Sequence, residues 1–170
     1  MKSVQILAAS ALVGLLAGCA GSVSRPTVLE PLPSQQQMAL HVSGISADAA
    51  NGIEMSDGDF GLICQKVRGY IEQQTPGVIV DPSTGQALQM KIHFTRFDRG
   101  NAFARAMLMG LGQIRIEATV SLEDARGTSV AQYAVAKDFA LGGVLGATTN
   151  VEDVEDGFAK SVAEVVKTKA

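Results

Sequence analysis

Cys19 is the residue whose surroundings specify its chemistry most closely. It follows Leu16-Ala17-Gly18 at the end of an apolar N-terminal segment. Small residues before a cysteine are typical of the lipobox of bacterial lipoprotein signals, in which the thiol receives a diacylglycerol and the bond before it is cleaved. We therefore expect Cys19 to become an acylated first residue, whose acyl chains hold the protein on a membrane.

The residues before Cys19 have the form of a signal peptide. Lys2 gives a positive start, and Val4–Leu15 is almost wholly apolar. A stretch of this length suits a signal and is too short to cross a bilayer, which takes roughly 20 residues. We predict a cleaved signal over residues 1–18. Because Ala20 rather than an aspartate follows the cysteine, we expect sorting to the outer membrane, with the protein facing the periplasm.

The composition after the signal predicts a tether and one domain. Proline, serine and glutamine dominate residues 19–37, so we expect the acylated cysteine to be followed by a flexible tether. Residues 38–170 are enough for a single domain with its own core. The net charge of −3 argues against nucleic acid as a partner, because nucleic-acid binding needs a basic surface.

Hydrophobic patterns in residues 38–170 predict an α+β domain. Helical spacing of apolar residues indicates one helix that is capped by Asp57 or Asp59 and runs to about Gln74, and a second helix from Asn150 onward. Strict alternation indicates strands over 88–97 and 113–123. Shorter patterns predict strands over 38–45 and 130–139. The predicted order is β-α-β-β-β-α, with two layers and both helices on one face of a mostly antiparallel sheet.

No catalytic or metal-ligating set stands out in this pattern. His41 and His93 each lie alone on a predicted strand, and Cys64 lies on the apolar face of a predicted helix. A zinc site needs three or four ligands, so we expect surface or sheet-edge histidines, a buried and inert cysteine, no metal and no cofactor. A deep pocket in which His93 and Arg96 meet an acidic residue would instead point to an enzyme.

Two acidic runs could be mistaken for metal sites. Ser56–Asp59 is similar to the start of a calcium loop, but Arg68 stands where the final glutamate would be. The run Glu152–Asp156 opens the predicted terminal helix, where negative charge stabilises the positive end of the helix dipole. We interpret both runs as parts of helix starts.

The connection Gly100–Gly112 is unusually apolar, with Arg105 its one charged residue. One interpretation is a short helix or loop that covers the open end of the core. The other is an exposed apolar surface for a partner subunit or the membrane. The second interpretation gives a candidate interaction surface, which consists of Phe103, Met107, Leu108 and Leu111.

The run Arg99–Gly112, the long alternating strand after it and the hairpin Leu122-Glu-Asp-Ala-Arg-Gly127 resemble a family of small bacterial lipoproteins known only as a domain of unknown function. Members pair a glycine-rich segment with an L-x-D-x-x-G hairpin. The resemblance covers roughly residues 38–168 and implies no catalytic residue. The element order is also similar to the curli-secretion lipoprotein and to the TolB amino-terminal domain, which implies an assembly or interaction role.

These observations lead to one expected function and one alternative. We expect a lipid-anchored interaction or assembly module of the cell envelope, without enzymatic activity, that binds a protein partner or copies of itself. The alternative is a carrier that holds a small or amphipathic envelope ligand between the helices and the sheet.

Overall fold

One five-stranded sheet organises the protein. The computed structural model describes residues 23–37, 40–83, 87–101, 103–104, 112–139 and 150–167. The strands are β1 (Thr27–Glu30), β2 (Val42–Ala49), β3 (Leu88–Asp98), β4 (Ile114–Glu123) and β5 (Ser129–Phe139). The helices are α1 (Ser34–Gln37), α2 (Asp57–Gln74) and α3 (Val151–Ala163), and a 3-10 turn, Glu164–Val166, follows α3.

The strand order across the sheet is β1-β5-β4-β3-β2. The strands β3, β4, β5 and β1 pair antiparallel, whereas β2 and β3 pair parallel. A parallel pair needs a long crossover, and α2 supplies it between β2 and β3. The predicted α+β class and mostly antiparallel sheet are confirmed.

The N-terminal part of the domain differs from the predicted tether. Residues Thr27–Glu30 form β1, which pairs with β5 in a register that places Thr27 opposite Ala134. Leu32 is buried in the core. Pro26 and Pro31 flank β1, where their missing donors interrupt no hydrogen bond of the strand itself. Strand pairing and burial of Leu32 therefore order a segment whose composition alone favours a linker.

The first predicted strand is also displaced. Apolar residues from position 38 onward suggested a strand over 38–45, but β2 runs from Val42 to Ala49. Its register against β3 explains the shift, because Ile45 and Ala47 pair with Met90 and Ile92 on the face that becomes the core. The folded domain therefore begins before residue 38 and uses β2 at the sheet edge opposite β1.

The core lies between one face of the sheet and the helices α2 and α3. Residues of β4 alternate strictly between buried and partly exposed, as their sequence predicts. Both helices reach the same sheet position, because the ring of Phe94 lies 6.2 Å from that of Phe60 on α2 and 5.5 Å from that of Phe158 on α3. The two-layer arrangement follows from this shared contact.

A charged residue interrupts the apolar face of the sheet. Lys137 of β5 is buried and lies opposite Ile116 of β4, in register with the core side of the sheet. The other inward residues of β5 are apolar, among them Ala131, Val135 and Phe139. A substitution near this point therefore meets a positive charge rather than a purely apolar wall.

Hydrogen bonds to backbone amides show how α2 and α3 begin. Ser56 Oγ accepts from the Asp59 amide at 3.2 Å, and the Asp59 carboxylate accepts from the Ser56 amide at 2.8 Å. At α3 the Asp153 carboxylate accepts from the Asn150 amide at 3.0 Å. Both acidic runs thus serve as helix starts.

Within the described residues, no helix has the length and apolar character needed to cross a membrane.

Candidate functional site

A cleft of about 530 Å³ opens at the end of the sheet where β3 finishes and β4 begins. The described residues that line it include three arginines, Arg96, Arg99 and Arg115, together with two acidic residues, Glu54 and Asp98. The pairing of β3 with β4 assembles this group, because Asp98 lies opposite Arg115. The cleft is therefore a product of sheet register.

Two glycines shape the floor of this cleft. Gly100 has a φ of 66° and Gly112 a φ of 71°, values in the left-handed region that glycine adopts without steric cost. The backbone amide of Asn101 donates to the Gly112 carbonyl oxygen at 3.2 Å. This hydrogen bond thus holds together the two ends of the connection between β3 and β4, which we call the neck of the connection.

Arg99 connects the cleft to α2. Its guanidinium donates to Asp59 Oδ1 at 2.9 Å and stacks on Phe97, with 5.3 Å from its central carbon to the ring centroid. Backbone and side-chain hydrogen bonds from Ser56 are the largest causes that lower the pKa of Asp59, and Arg99 lowers it further. The carboxylate that holds Arg99 is therefore charged at neutral pH.

The other two guanidiniums are each held by a side chain two residues away in the sequence. Arg96 Nε donates to Asp98 Oδ2 at 2.6 Å, and Arg115 Nε donates to Gln113 Oε1 at 2.7 Å. Each contact uses part of a guanidinium that carries five donors in total. An arginine held in this way keeps a fixed orientation and can bind a carboxylate or phosphate with its remaining donors.

The described lining of the cleft is mainly charged and polar. It contains arginine, acidic, amide, aromatic and glycine residues, and none of these lining residues is a serine, a cysteine or a histidine. Three positive groups face two negative ones, so the described lining carries a small positive excess in a protein of net charge −3. The arrangement can contact one anionic group of a ligand or partner.

His93 lies apart from this cleft. On the solvent face of the sheet its Nδ1 is 2.5 Å from Asp48 Oδ1, and Lys91 Nζ is 3.2 Å from Asp48 Oδ2. Burial alone would raise the pKa of Asp48, but hydrogen bonds from His93 and Lys91 outweigh it and lower that pKa. Arg96 is one of the described residues that line the cleft, and His93 is not among them.

His41 and Cys64 are each half-buried, so Cys64 is less buried than predicted. His41 lies next to the start of the edge strand β2, and its Nδ1 is buried without a hydrogen-bond partner. Cys64 lies on α2, and burial raises the pKa of its thiol, which lowers its reactivity. Within the described residues no group of three or more His, Cys, Asp or Glu could hold a metal ion.

One of the four residues of the candidate interaction surface can be placed. Phe103 is 72% exposed, which is far more than the other aromatic residues of the described chain. Met107, Leu108 and Leu111 lie outside the described residues, as does the lipidation site, Cys19. The exposed surface that the sequence predicts therefore has one member that is accessible in the structure.

A second exposed region, which sequence reasoning missed, lies at β1. All four residues of this strand are exposed, and among them Val28 is 54% and Leu29 56% exposed. Just before the strand, the backbone amide of Ser24 donates to Ser161 Oγ on α3 at 2.8 Å. The chain is therefore already fixed to the domain at Ser24. The sequence signal for this region was the pair of apolar residues within a proline-rich segment.

The comparisons with known proteins give a match to one family model and similarity to solved structures. Residues 62–143 match a family model described as a domain of unknown function, DUF4410. The search of curated proteins found no match. The resemblance that the glycine-rich segment and hairpin indicated is confirmed by the family match, which includes Arg99–Gly112 and Leu122–Gly127.

Solved structures share the fold at low sequence identity. A PelC dodecamer from Paraburkholderia phytofirmans, a single-substitution variant in space group C2, is 10% identical, with 85% of this chain and 99% of that chain covered and a TM-score of 0.52. A second PelC dodecamer, in space group P6, is 12% identical and covers 83% of this chain and 96% of that chain, with a TM-score of 0.51.

A candidate lipoprotein from Caulobacter crescentus CB15 is 17% identical, covers 71% of this chain and 82% of that chain, and has a TM-score of 0.36. That score is too low to support a structural argument. Residues 62–143 of this chain thus match DUF4410, a domain of unknown function, within a fold that is similar to that of PelC.

Proposed function

We propose that this protein is a lipid-anchored module of the cell envelope that works by binding, without catalysis, and that its copies associate with one another. The observation that carries the anchor is Leu16-Ala17-Gly18-Cys19 at the end of an apolar segment. Acyl chains on Cys19 would hold the domain on a membrane, and Ala20 favours the outer membrane with the domain in the periplasm.

The likeness to PelC supports the association of copies. The PelC structures of this fold are dodecamers, so the fold can form large homo-oligomers. One feature of this chain suits such an association, namely the exposed ring of Phe103. Exposed apolar groups of this kind are commonly binding surfaces in proteins that do not use them for their own core.

The test of the anchor is the intact mass of the membrane-extracted protein. The wild type is expected to begin at Cys19 and to carry a diacylglycerol together with an N-acyl chain. Cys19→Ala is expected to accumulate as an uncleaved precursor without acyl groups. Cys64→Ala, which removes the other cysteine, serves as the control and is expected to be processed normally. A mature-sized, membrane-bound Cys19→Ala protein would refute the proposal.

The test of association is the mass of the acylated protein in mild detergent, measured by light scattering. A defined multiple of the protomer mass is the expected result. If the protein is a monomer at every concentration and recovers no specific protein in a pull-down from solubilised envelopes, the binding role fails.

The cleft supports a second candidate function, that of a carrier. Between the helices and the sheet, where a carried ligand was expected, fully buried side chains such as Phe94 and Phe158 fill the space. The arginine-lined cleft at the sheet end is the alternative place, and it suits a ligand with one anionic group. Native mass spectrometry separates the functions, because a carrier retains a small molecule and loses it in Arg115→Ala.

A further inference from the structure

Exposed apolar side chains are concentrated at the N-terminal end of the described chain. In that described part the large hydrophobic residues with high exposure are Val23, Val28, Leu29, Leu62 and Phe103. Three of these five lie between residues 23 and 29, at 47%, 54% and 56% exposure. We call Val23, Arg25, Val28 and Leu29 the N-terminal face. All four of its side chains are exposed.

The pairing of β1 shows that its own sheet does not cover this face. Val28 lies opposite Tyr133 of β5, on the side of the sheet that the helices occupy, yet it stays exposed at the end of the strand order. The register shifts between Val28 and Glu30, which places Leu29 at the irregularity. Val28 and Leu29 thus lie on an edge strand that the fold itself leaves more than half exposed.

The length of chain before this face limits how far it can be from the anchor. The Ser24 amide is fixed to Ser161 Oγ, so only the residues between Cys19 and Ser24 can act as a tether. Fully extended chain spans at most about 3.6 Å per residue, so five steps span roughly 18 Å. This reach is far shorter than that of the tether over residues 19–37 that the proline-rich composition predicted.

We propose that the N-terminal face lies against the lipid surface in which Cys19 is anchored, so that the domain is docked on the membrane in one orientation. The inference rests on the proposed acylation of Cys19. The apolar side chains of Val23, Val28 and Leu29 contact the boundary between head groups and acyl chains. The exposed Arg25 contacts anionic head groups, as basic residues beside membrane-facing apolar groups do.

A lipid surface fits this face better than a second copy of the chain. The face is joined directly to the acylated residue, so a membrane is present within reach of every molecule, whereas a second copy must diffuse to it. The face also pairs a cation with apolar groups, which is the composition of membrane-surface segments. Edge-to-edge pairing of β1 with another copy is the competing arrangement, and the experiment below separates the two.

The experiment places a fluorophore at two positions of the acylated protein. Val28→Cys and Ser46→Cys are each made in a Cys64→Ser background and labelled with an environment-sensitive dye. Ser46 is exposed on β2, at the opposite edge of the sheet, and four strand spacings of about 4.8 Å separate the two strands by roughly 19 Å. The proteins are placed in phosphatidylethanolamine and phosphatidylglycerol vesicles that contain lipids spin-labelled near the head group.

The expected result is several-fold stronger quenching by the labelled lipids at position 28 than at position 46. Leu29→Cys should give the same result as Val28→Cys, which guards against a local effect of one substitution. Equal quenching at the two edges overturns the proposal. A second result also overturns it: the dye at position 28 is not quenched by lipid, but it becomes more shielded from water as the protein density on the vesicle rises. This result would assign the face to a second copy.

The intact mass of the same samples separates this inference from the proposed function. If the mature protein carries acyl chains and position 28 is not quenched, only the docked orientation is wrong. If the protein carries no acyl chain, the anchor and the docked orientation fail together.

Discussion

The Tyr70 hydroxyl of α2 donates a hydrogen bond to the Asp156 carboxylate of α3, which connects the two helices that cover the sheet. Lys160 contacts both groups, with its Nζ 2.8 Å from Asp156 Oδ2 and 5.2 Å from the centroid of the Tyr70 ring. Burial raises the pKa of Tyr70 and the bond to Asp156 raises it further, so the hydroxyl remains a donor at neutral pH.

We expect Tyr70→Phe to lower the free energy of unfolding at pH 7 by about 1 kcal/mol, because the ring stays while the hydrogen bond to a charged acceptor is lost. Burial would raise the pKa of Asp156, but hydrogen bonds from Lys160 and Tyr70 outweigh it and lower that pKa. The contribution of the carboxylate is therefore present above its unfolded pKa and is lost as pH falls through the lower, folded pKa.

Urea unfolding of Tyr70→Phe and wild type at neutral and acidic pH measures this difference. The control is Glu72→Gln on the same helix, whose exposed pair with Arg68 spans 3.9 Å and should contribute less than about 0.5 kcal/mol. If Tyr70→Phe lowers the free energy of unfolding no more than Glu72→Gln does, the hydrogen bond between the helices does not stabilise the fold.

Glu155 predicts a pH dependence of the opposite sign. Its side chain is 8% exposed on α3, and Lys66 Nζ lies 3.8 Å from its Oε2. Burial is the largest cause of its raised pKa, and it outweighs the attraction of Lys66, while Asp59 and Glu152 raise the pKa further. A carboxyl whose folded pKa is raised makes the folded state more stable as the pH falls.

We therefore expect Glu155→Gln to be more stable than wild type above the raised folded pKa. The advantage should shrink as pH falls and vanish below the unfolded pKa, where both side chains are neutral. Thermal melts of the two proteins from pH 4 to pH 8 test this. A pH-independent difference between them would mean that burial of the charge does not control the stability.

The sheet register can be tested by one new charge on each face. Val120 of β4 is fully buried between Ile92 and Tyr133 in register, so Val120→Asp should lower the free energy of unfolding by about 3 kcal/mol or more. Ser121→Asp adds the same group one residue later, opposite Lys91 on the wetter face, and should change the free energy by about 0.5 kcal/mol or less.

Position 120 is a better choice than Ile116, which is equally buried on the same strand. Lys137 lies opposite Ile116, so an aspartate at 116 would meet a positive charge and the effect would be harder to interpret. Chemical denaturation of both variants checks the prediction, and similar midpoints for Val120→Asp and Ser121→Asp would contradict the register.

Phe103 tests the candidate interaction surface. Because its ring is already mostly in water, Phe103→Ser should change the free energy of unfolding by about 0.5 kcal/mol or less. If the ring is part of an interface, the same change should shift the protein toward smaller species in sizing and light-scattering experiments. Leu62→Ser, at an exposed apolar position on α2, is the matched control and should leave association unchanged. A strongly destabilised Phe103→Ser would show that the ring covers the core.

Strict periodicity made some elements predictable from the sequence. The alternation from Gln113 to Glu123 places β4 within one residue, and the apolar spacing after Asn150 places α3, because each pattern is long and local. The strand β1 was not predictable. Its four residues are all exposed and show no alternation of apolar and polar residues that would indicate a strand. The strand forms because β5 pairs with it through backbone hydrogen bonds.

The cleft was unpredictable for a related reason. No periodic pattern in the sequence groups the three arginines that line it, Arg96, Arg99 and Arg115. They lie close together because of how β3 pairs with β4, including the register shift between Phe94 and Arg96. Such a shift follows from pairing geometry that one strand does not encode. The glycines at 100 and 112 were visible in the sequence, but their role as the neck of the connection appears only with the backbone hydrogen bond between Asn101 and Gly112.

The position of β1 beside β5 also sets an order of events in folding. Thr27 lies near the start of the domain, whereas Ala134, its partner in the sheet, lies in the last strand along the chain. Until β5 exists, β1 has no strand with which it can pair in the native way, whereas β3, β4 and β5 join through neighbours in the chain. Distant pairing costs time more than stability, since loop-closure entropy grows only slowly with length. The first strand along the chain is thus the last that can form its native pairing.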